Sequence, residues 1–169
     1  MSVPAPLLRL ALYQPDIPQN TGTMLRMCAC LGVAAEIIEP AGFPVSDRAF
    51  RRAGMDYLDD VVINRHDSWS RFEAWRAEAD SPAPARLVLA TTRGAVAHVD
   101  FAFRPGDIIM VGRESAGVPE DVHRAADARV VVPIRLGMRS INVAVTAALM
   151  VGEALRQLGG FGVGANPGL

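Results

Sequence analysis

Asn20, Gly22 and Arg26 follow one apolar run of this 169-residue chain; Gly112, Arg113, Glu114, Ser115 and Gly117 follow a second; Arg135, Arg139, Ser140 and Asn142 follow a third. Amides, a carboxylate, a hydroxyl and guanidinium groups supply the donors and acceptors that a polar binding or transfer site needs. Each also has a plainer reading. Asn20 can cap a helix, Glu114 can be a solvated loop charge, Ser140 can be the N-cap of the last helix, and Gly112 can simply end a strand. Recurrence of the pattern at three strand-to-loop junctions favours one shared site.

The missing motifs narrow the chemistry. There is no Gly-x-Ser-x-Gly elbow and no Walker loop, so neither acyl-enzyme chemistry nor nucleoside triphosphate hydrolysis has support. His66, His98 and His123 lie far from one another and from Cys28 and Cys30, without zinc-ligand spacing, and no metal is expected. The acidic run Asp56 to Asp60 lacks the spacing of a calcium loop and reads as a solvated turn. Gly160, Gly162 and Ala165 have the spacing of a dinucleotide fingerprint, but no strand precedes them and no helix can follow.

The elements that must position these residues alternate along the chain. Leu7 to Tyr13 reads as a strand, QPDIPQNTG as a loop, and a helix is expected from about Gly22 to Leu31, with Met24, Met27, Cys28 and Leu31 on one stripe and Arg26 opposite. Ala34 to Pro40 and Asp60 to Asn64 read as strands. Ser46 is placed to cap a helix carrying Arg48, Arg51 and Arg52, and Ser68 to cap one in which Trp69, Phe72 and Trp75 recur at helical spacing, as a core face does. After the connection SPAPA, the runs RLVLATT, DIIMVG and ARVVVP are apolar on both alternating positions, as strands of a parallel sheet covered on both faces are. The expectation is an α/β domain, a mostly parallel sheet with helices on both faces, with ligands bound where the strand ends converge. A last helix, Ser140 to Leu158, has no charge from Ile141 to Gly152, more apolar surface than a lone small domain tolerates, which points to a second subunit. Residues 1–158 are expected to form one domain and 159–169 a flexible glycine-rich tail.

Composition sets outer bounds. Half the residues are apolar, 21% are charged, and the net charge is −1, so nucleic-acid binding would depend on local clustering of cations. The N-terminus does not have the pattern of a signal peptide, the longest charge-free stretch is too short for a membrane span, and two cysteines two residues apart in a helix cannot pair; a reduced, cytoplasmic setting is expected.

ALYQPDIPQNTGTMLRMCACLG, IIMVGRESAGVPE and VVVPIRLGMRSINVAVTAALMVGEALRQ resemble the three motifs of the SPOUT superfamily of RNA 2′-O-methyltransferases. With IIEPAGFPVSDRAFRRAGMDY, the chain is similar, from about Leu8 to Leu158, to the small TrmL-type enzymes that methylate the wobble nucleotide of tRNA. The resemblance implies S-adenosylmethionine as methyl donor, a C-terminal trefoil knot and a homodimer formed through the last helix and knot. It places Asn20 and Arg26 at the target ribose, and Glu114, Ser140 and Asn142 in the catalytic pocket. Ala90, Thr91, Gly112, Gly117, Val132, Pro133, Met138 and Ser140 would surround the cofactor, and Gly112 would let it approach the backbone. Arg48, Arg51, Arg52, Arg135 and Arg139 would meet RNA phosphates at the tRNA anticodon loop, with both subunits building that surface because the catalytic fold uses up the chain. Arg113 stands where family members often carry proline. Two alternatives remain at this stage: the same chemistry on another tRNA site or on ribosomal RNA, and a catalytically silent RNA-binding dimer.

Overall fold

The computed structural model describes residues 5–53, 55–78, 84–94 and 96–162. The first part of the proline-rich connection, residues 79–83, and the glycine-rich tail from residue 163 onward lie outside them. Seven strands form one sheet: β1 (Arg9–Tyr13), β2 (Ala34–Ile38), β3 (Ile63–His66), β4 (Leu87–Ala90), β5 (Val96–Ala97), β6 (Ile108–Val111) and β7 (Ala128–Val131), in the order β3-β2-β1-β6-β4-β7-β5. Every pairing is parallel. The helices between them are α1 (Pro18–Leu31), α2 (Asp47–Arg52), α3 (Trp69–Glu78), α4 (Glu120–Ala125) and α5 (Val143–Leu158).

Strand alternation divides the core into two. Leu10, Leu12, Ile37, Val88, Ile109 and Val111 face a layer that includes α1, α2 and α5, while Ala11, Tyr13, Ile38, Leu87, Leu89 and Met110 face Phe72 of α3 and Val122 of α4. This is why the central strands are apolar throughout: both faces are covered. Trp69 and Trp75 pack with Phe72 in the second layer, as their spacing suggested.

Local chemistry moves several boundaries. α1 begins four residues before the expected start at Gly22, because Pro18 occupies the first turn, where its missing N–H costs nothing and its fixed φ already suits a helix. Asn20 is therefore inside α1, which frees its side chain from capping. The third strand starts at Ile63; residues Leu58–Asp60 form a single 3-10 turn, in which Asp59 pairs with Arg51. Ser46 and Ser68 accept hydrogen bonds from the backbone N–H of Ala49 and Arg71, as N-caps do. At α5 the N-cap is Asn142, not Ser140: its Oδ1 accepts from the N–H groups of Ala144 and Val145.

β2 contains a charge that an apolar reading of the strand passes over. Glu36 is fully buried, and its carboxylate is met by Arg9, by Asn64 at 2.9 Å and by His66 Nε2 at 2.7 Å. A buried carboxylate is tolerable only with partners of this kind, so β1, β2 and β3 are tied in register by it.

The two cysteines are free. Cys28 is buried on the core side of α1, which pushes its thiol up to about 12, while Cys30 is exposed. Cys28 should thus resist a thiol reagent in the folded protein and react after denaturation; mass-spectrometric labelling of Cys28 at the rate of Cys30 under native conditions would contradict this packing.

Candidate active site

The carboxyl ends of β1, β4, β6 and β7 open on one cavity of about 730 Å³. In open α/β sheets the loops diverge at this edge and leave room for a ligand. Of the residues expected to act here, Asn20, Ala90, Thr91, Gly112, Glu114, Gly117, Val132, Arg139, Ser140 and Asn142 line it.

Three segments distant in sequence meet through hydrogen bonds. Asn20 Nδ2 donates to Glu114 Oε1 at 2.7 Å, and Asn142 Nδ2 donates to Asn20 Oδ1 at 3.0 Å. Since Asn142 Oδ1 is occupied in capping α5, its amide orientation is fixed, and it fixes that of Asn20 in turn. The chain of bonds leaves Glu114 Oε2 buried without a partner. Burial raises the Glu114 carboxyl above the ordinary carboxylate range; the Asn20 bond pulls it down, and neighbouring Asp16 pushes it further up.

Asp16, at the loop between β1 and α1, holds the next loop in place. It accepts from the backbone N–H of Glu114 at 3.2 Å and from the Ser115 hydroxyl, and lies 3.8 Å from Arg113 Nε. Arg113 also reaches Gln14 at 3.5 Å, which ties its own loop to the residue that follows β1. Although burial pushes the Asp16 carboxyl up, the bonds from Ser115 and the backbone together with the Arg113 charge hold it below the ordinary range. A lowered carboxyl contributes stability above its unfolded value and loses it as pH falls through the folded one. Asp16→Asn should therefore be less stable than wild type near pH 7, with the gap closing on acidification; denaturant melts at neutral and acid pH that show a constant gap would contradict this.

The glycine after β6 also has a packing reason within the chain itself. A Cβ on Gly112 would stand 2.7 Å from the carbonyl carbon of Gly117 and 2.9 Å from its Cα. Arg113 and Gly117 exchange backbone hydrogen bonds of 3.0 and 2.8 Å, closing a tight loop whose turn needs the positive φ of 63° at Gly117. Gly112 thus lets the loop fold back on itself, and the folded loop forms one wall of the cavity. Gly94 plays a similar part after β4: a Cβ there would come 2.6 Å from Val130 C and Val131 N of β7. Sequence reasoning missed Gly94 and Asp16, although a glycine or aspartate just after an apolar strand is a signal it could have used.

Other expected residues lie elsewhere. Pro133 and Met138 do not line the cavity, and Met138 is 65% exposed in the loop between β7 and α5. Arg26 is six residues beyond Asn20 on α1, which turns it to another face of the helix. It is exposed beside Asp56 and Tyr57 in a separate recess, away from Glu114. Arg48 and Arg52 are exposed on α2 with Arg51, and Arg135 and Arg139 are exposed near the cavity mouth. Among the described residues, no cluster of His, Cys, Asp or Glu suits a metal ion, and no helix is long and apolar enough to cross a membrane.

A parallel sheet whose strand ends carry this three-segment polar cavity has the ligand-binding architecture of an open α/β fold. The sequence profile of the SpoU rRNA Methylase family matches residues 7–152, and the chain belongs to that family. It is similar to the tRNA (cytidine(34)-2′-O)-methyltransferase of Beijerinckia indica, at 67% identity over 89% of this chain and 91% of the relative. The enzyme of the same name from Escherichia coli K12 is 38% identical over 90% of this chain and 95% of that relative. A solved structure described as giving insight into 2′-OH methylation of C/U34 on tRNA superposes with a TM-score of 0.81, at 37% identity, covering 90% of this chain and 97% of that one.

Proposed function

We propose that this protein methylates the ribose 2′-hydroxyl of the wobble nucleotide, position 34, in tRNA anticodons, taking cytidine and 5-carboxymethylaminomethyl-type uridine. The observation that carries this reading is the hydrogen-bonded convergence of Asn20, Glu114 and Asn142 at one cavity, in a chain so similar to tRNA (cytidine(34)-2′-O)-methyltransferases over nearly its whole length. The cofactor is S-adenosylmethionine, which supplies a methyl group on a positively charged sulfur. The site fits it on three counts. The cavity has the size of a small-molecule site, its wall includes the close-packed Gly112–Gly117 loop, and the buried Glu114 carboxylate has an oxygen without a partner to offer a hydroxyl, amine or positive charge.

Ribose methylation needs alignment of the accepting oxygen and removal of its proton more than covalent help. Asn142 and Asn20 hold Glu114 in one orientation, and Asp16 holds the loop that carries it. Arg26 stabilises the growing negative charge on the ribose oxygen or grips the adjacent phosphate; as a guanidinium it stays protonated, so the hydroxyl proton leaves to another acceptor.

Because Arg26 opens away from the cavity of its own chain, the reading includes a homodimer in which a second copy brings Arg26 to the ribose. Val145 and Leu149 are exposed on α5, and Ile141 just before it and Ile134, Leu136 and Met138 in the preceding loop are exposed as well, as an interface would have. A C-terminal trefoil knot belongs to the same reading, supported by the entry of β7 between β4 and β5 before the chain returns to pack α5 on α1 and β6. Leu149→Glu should yield a monomer in sedimentation velocity and remove most methyl transfer. A variant that stays dimeric and active would contradict the assignment of this face.

All seventeen basic residues are arginine, the side chain best suited to bidentate phosphate contacts, and the Arg48, Arg51 and Arg52 group with Arg135 and Arg139 would meet the anticodon stem and loop. The function is tested with two anticodon stem–loops that differ only at nucleotide 34, one with a free 2′-hydroxyl and one already 2′-O-methylated. Label from S-adenosylmethionine should enter the first and not the second; equal labelling of both would place the target elsewhere.

A further inference from the structure

We propose that Tyr57 is a positioning residue for Arg26: its ring carries the guanidinium, and its hydroxyl locks that ring to the turn of α1 from which Arg26 projects. The proposal rests on the reading that Arg26 acts at the ribose. An arginine with a 64% exposed side chain is a poor tool for aligning a reaction unless something limits its rotamers. The Arg26 guanidinium lies over the Tyr57 ring at 5.3 Å from the centroid, within the range of a cation–π contact. The Tyr57 hydroxyl donates to the carbonyl of Gly22 at 2.7 Å, four residues before Arg26 and thus one helical turn below it.

The rest of the recess is shaped to allow this. A Cβ on Gly22 would meet Met55 Cε at 2.8 Å and the Tyr57 hydroxyl at 4.0 Å, so the glycine leaves room for Met55 and Tyr57 to rest on this face of α1. Met55 is itself seated in the core. Asp56, 89% exposed, stands 3.9 Å from the guanidinium and adds a weak, solvent-screened attraction. Burial raises the Tyr57 hydroxyl above its ordinary value despite the opposing Arg26 charge, so it remains a donor to Gly22 at working pH. The ring and the hydroxyl thus have separable tasks.

The test uses the purified full chain. NMR of the Arg26 side chain, assigned by its loss in Arg26→Lys, reads the contact without RNA: ring-current shifts should be present in wild type and Tyr57→Phe and absent in Tyr57→Leu. In methyl transfer, Tyr57→Leu should lower kcat by ~10²-fold, while Tyr57→Phe stays within about threefold and cofactor affinity is unchanged in both. The double variant Arg26→Ala/Tyr57→Leu should be no slower than Arg26→Ala alone, since the two act as a unit. If Arg26→Ala is itself fully active, the reading of Arg26 fails. If Arg26→Ala is inactive while Tyr57→Leu turns over normally, or if Tyr57→Leu shows the loss with an unchanged Arg26 spectrum, the positioning role is overturned. Should Tyr57→Leu fold poorly, Tyr57→Trp, which keeps an aromatic face, decides the matter: it should retain the ring-current shifts and most of the activity, and losing both the activity and the shifted Arg26 signals would count against the proposal.

Discussion

Arg26→Ala should abolish methyl transfer, by ~10²–10³-fold in kcat, and leave S-adenosylmethionine affinity within about twofold of wild type. The magnitude is that of removing one preorganised donor from a developing oxyanion. The selectivity follows from placement: within one chain Arg26 lies in a recess with Tyr57 and Asp56, and that recess and the cavity share no lining residue. Its loss therefore disturbs the accepting oxygen and not the pocket. Isothermal titration of the cofactor beside single-turnover kinetics checks both halves, and a loss of cofactor affinity as large as the loss of rate would move Arg26 into the pocket.

Gly112→Ala should act in the opposite way. Its Cβ would press on the backbone of Gly117 at under 3 Å, and backbone held by two hydrogen bonds cannot yield as a flexible side chain can. Overpacking of this kind costs about 1–3 kcal/mol, which here falls on the loop that walls the cavity. Cofactor affinity should drop by ~10–100-fold, since each ~1.4 kcal/mol is a factor of ten. β6 before it remains packed on both faces, so the variant should stay folded. Calorimetry showing an unchanged cofactor affinity would mean that the Arg113–Gly117 loop is not part of that site.

Fold class was legible because it depends on burial. Runs such as those of β4 and β6 are apolar at every position only when helices cover both faces, and that pattern survives in one dimension. The polar loops after β1, β6 and β7 were legible for a related reason, as charges in an otherwise apolar context. What could not be read were contacts across the sheet. Glu36 is acceptable in β2 only because Arg9, Asn64 and His66 converge on it from two other strands. Asp16 controls a loop about a hundred residues away, and no local pattern announces that. The choice of Asn142 over Ser140 as cap of α5 turned on two residues that are both good caps. Arg26 is different. Its six-residue offset from Asn20 already puts the two on different faces of one helix, and that alone separates it from Glu114 within a single chain.

The most direct test of the account is methyl incorporation from labelled S-adenosylmethionine into total tRNA lacking its own wobble methylation, followed by nucleoside mapping. The account expects label in the ribose of nucleotide 34 and none there with Arg26→Ala. Label confined to another position or to ribosomal RNA, or none at all with the cofactor bound, would contradict it.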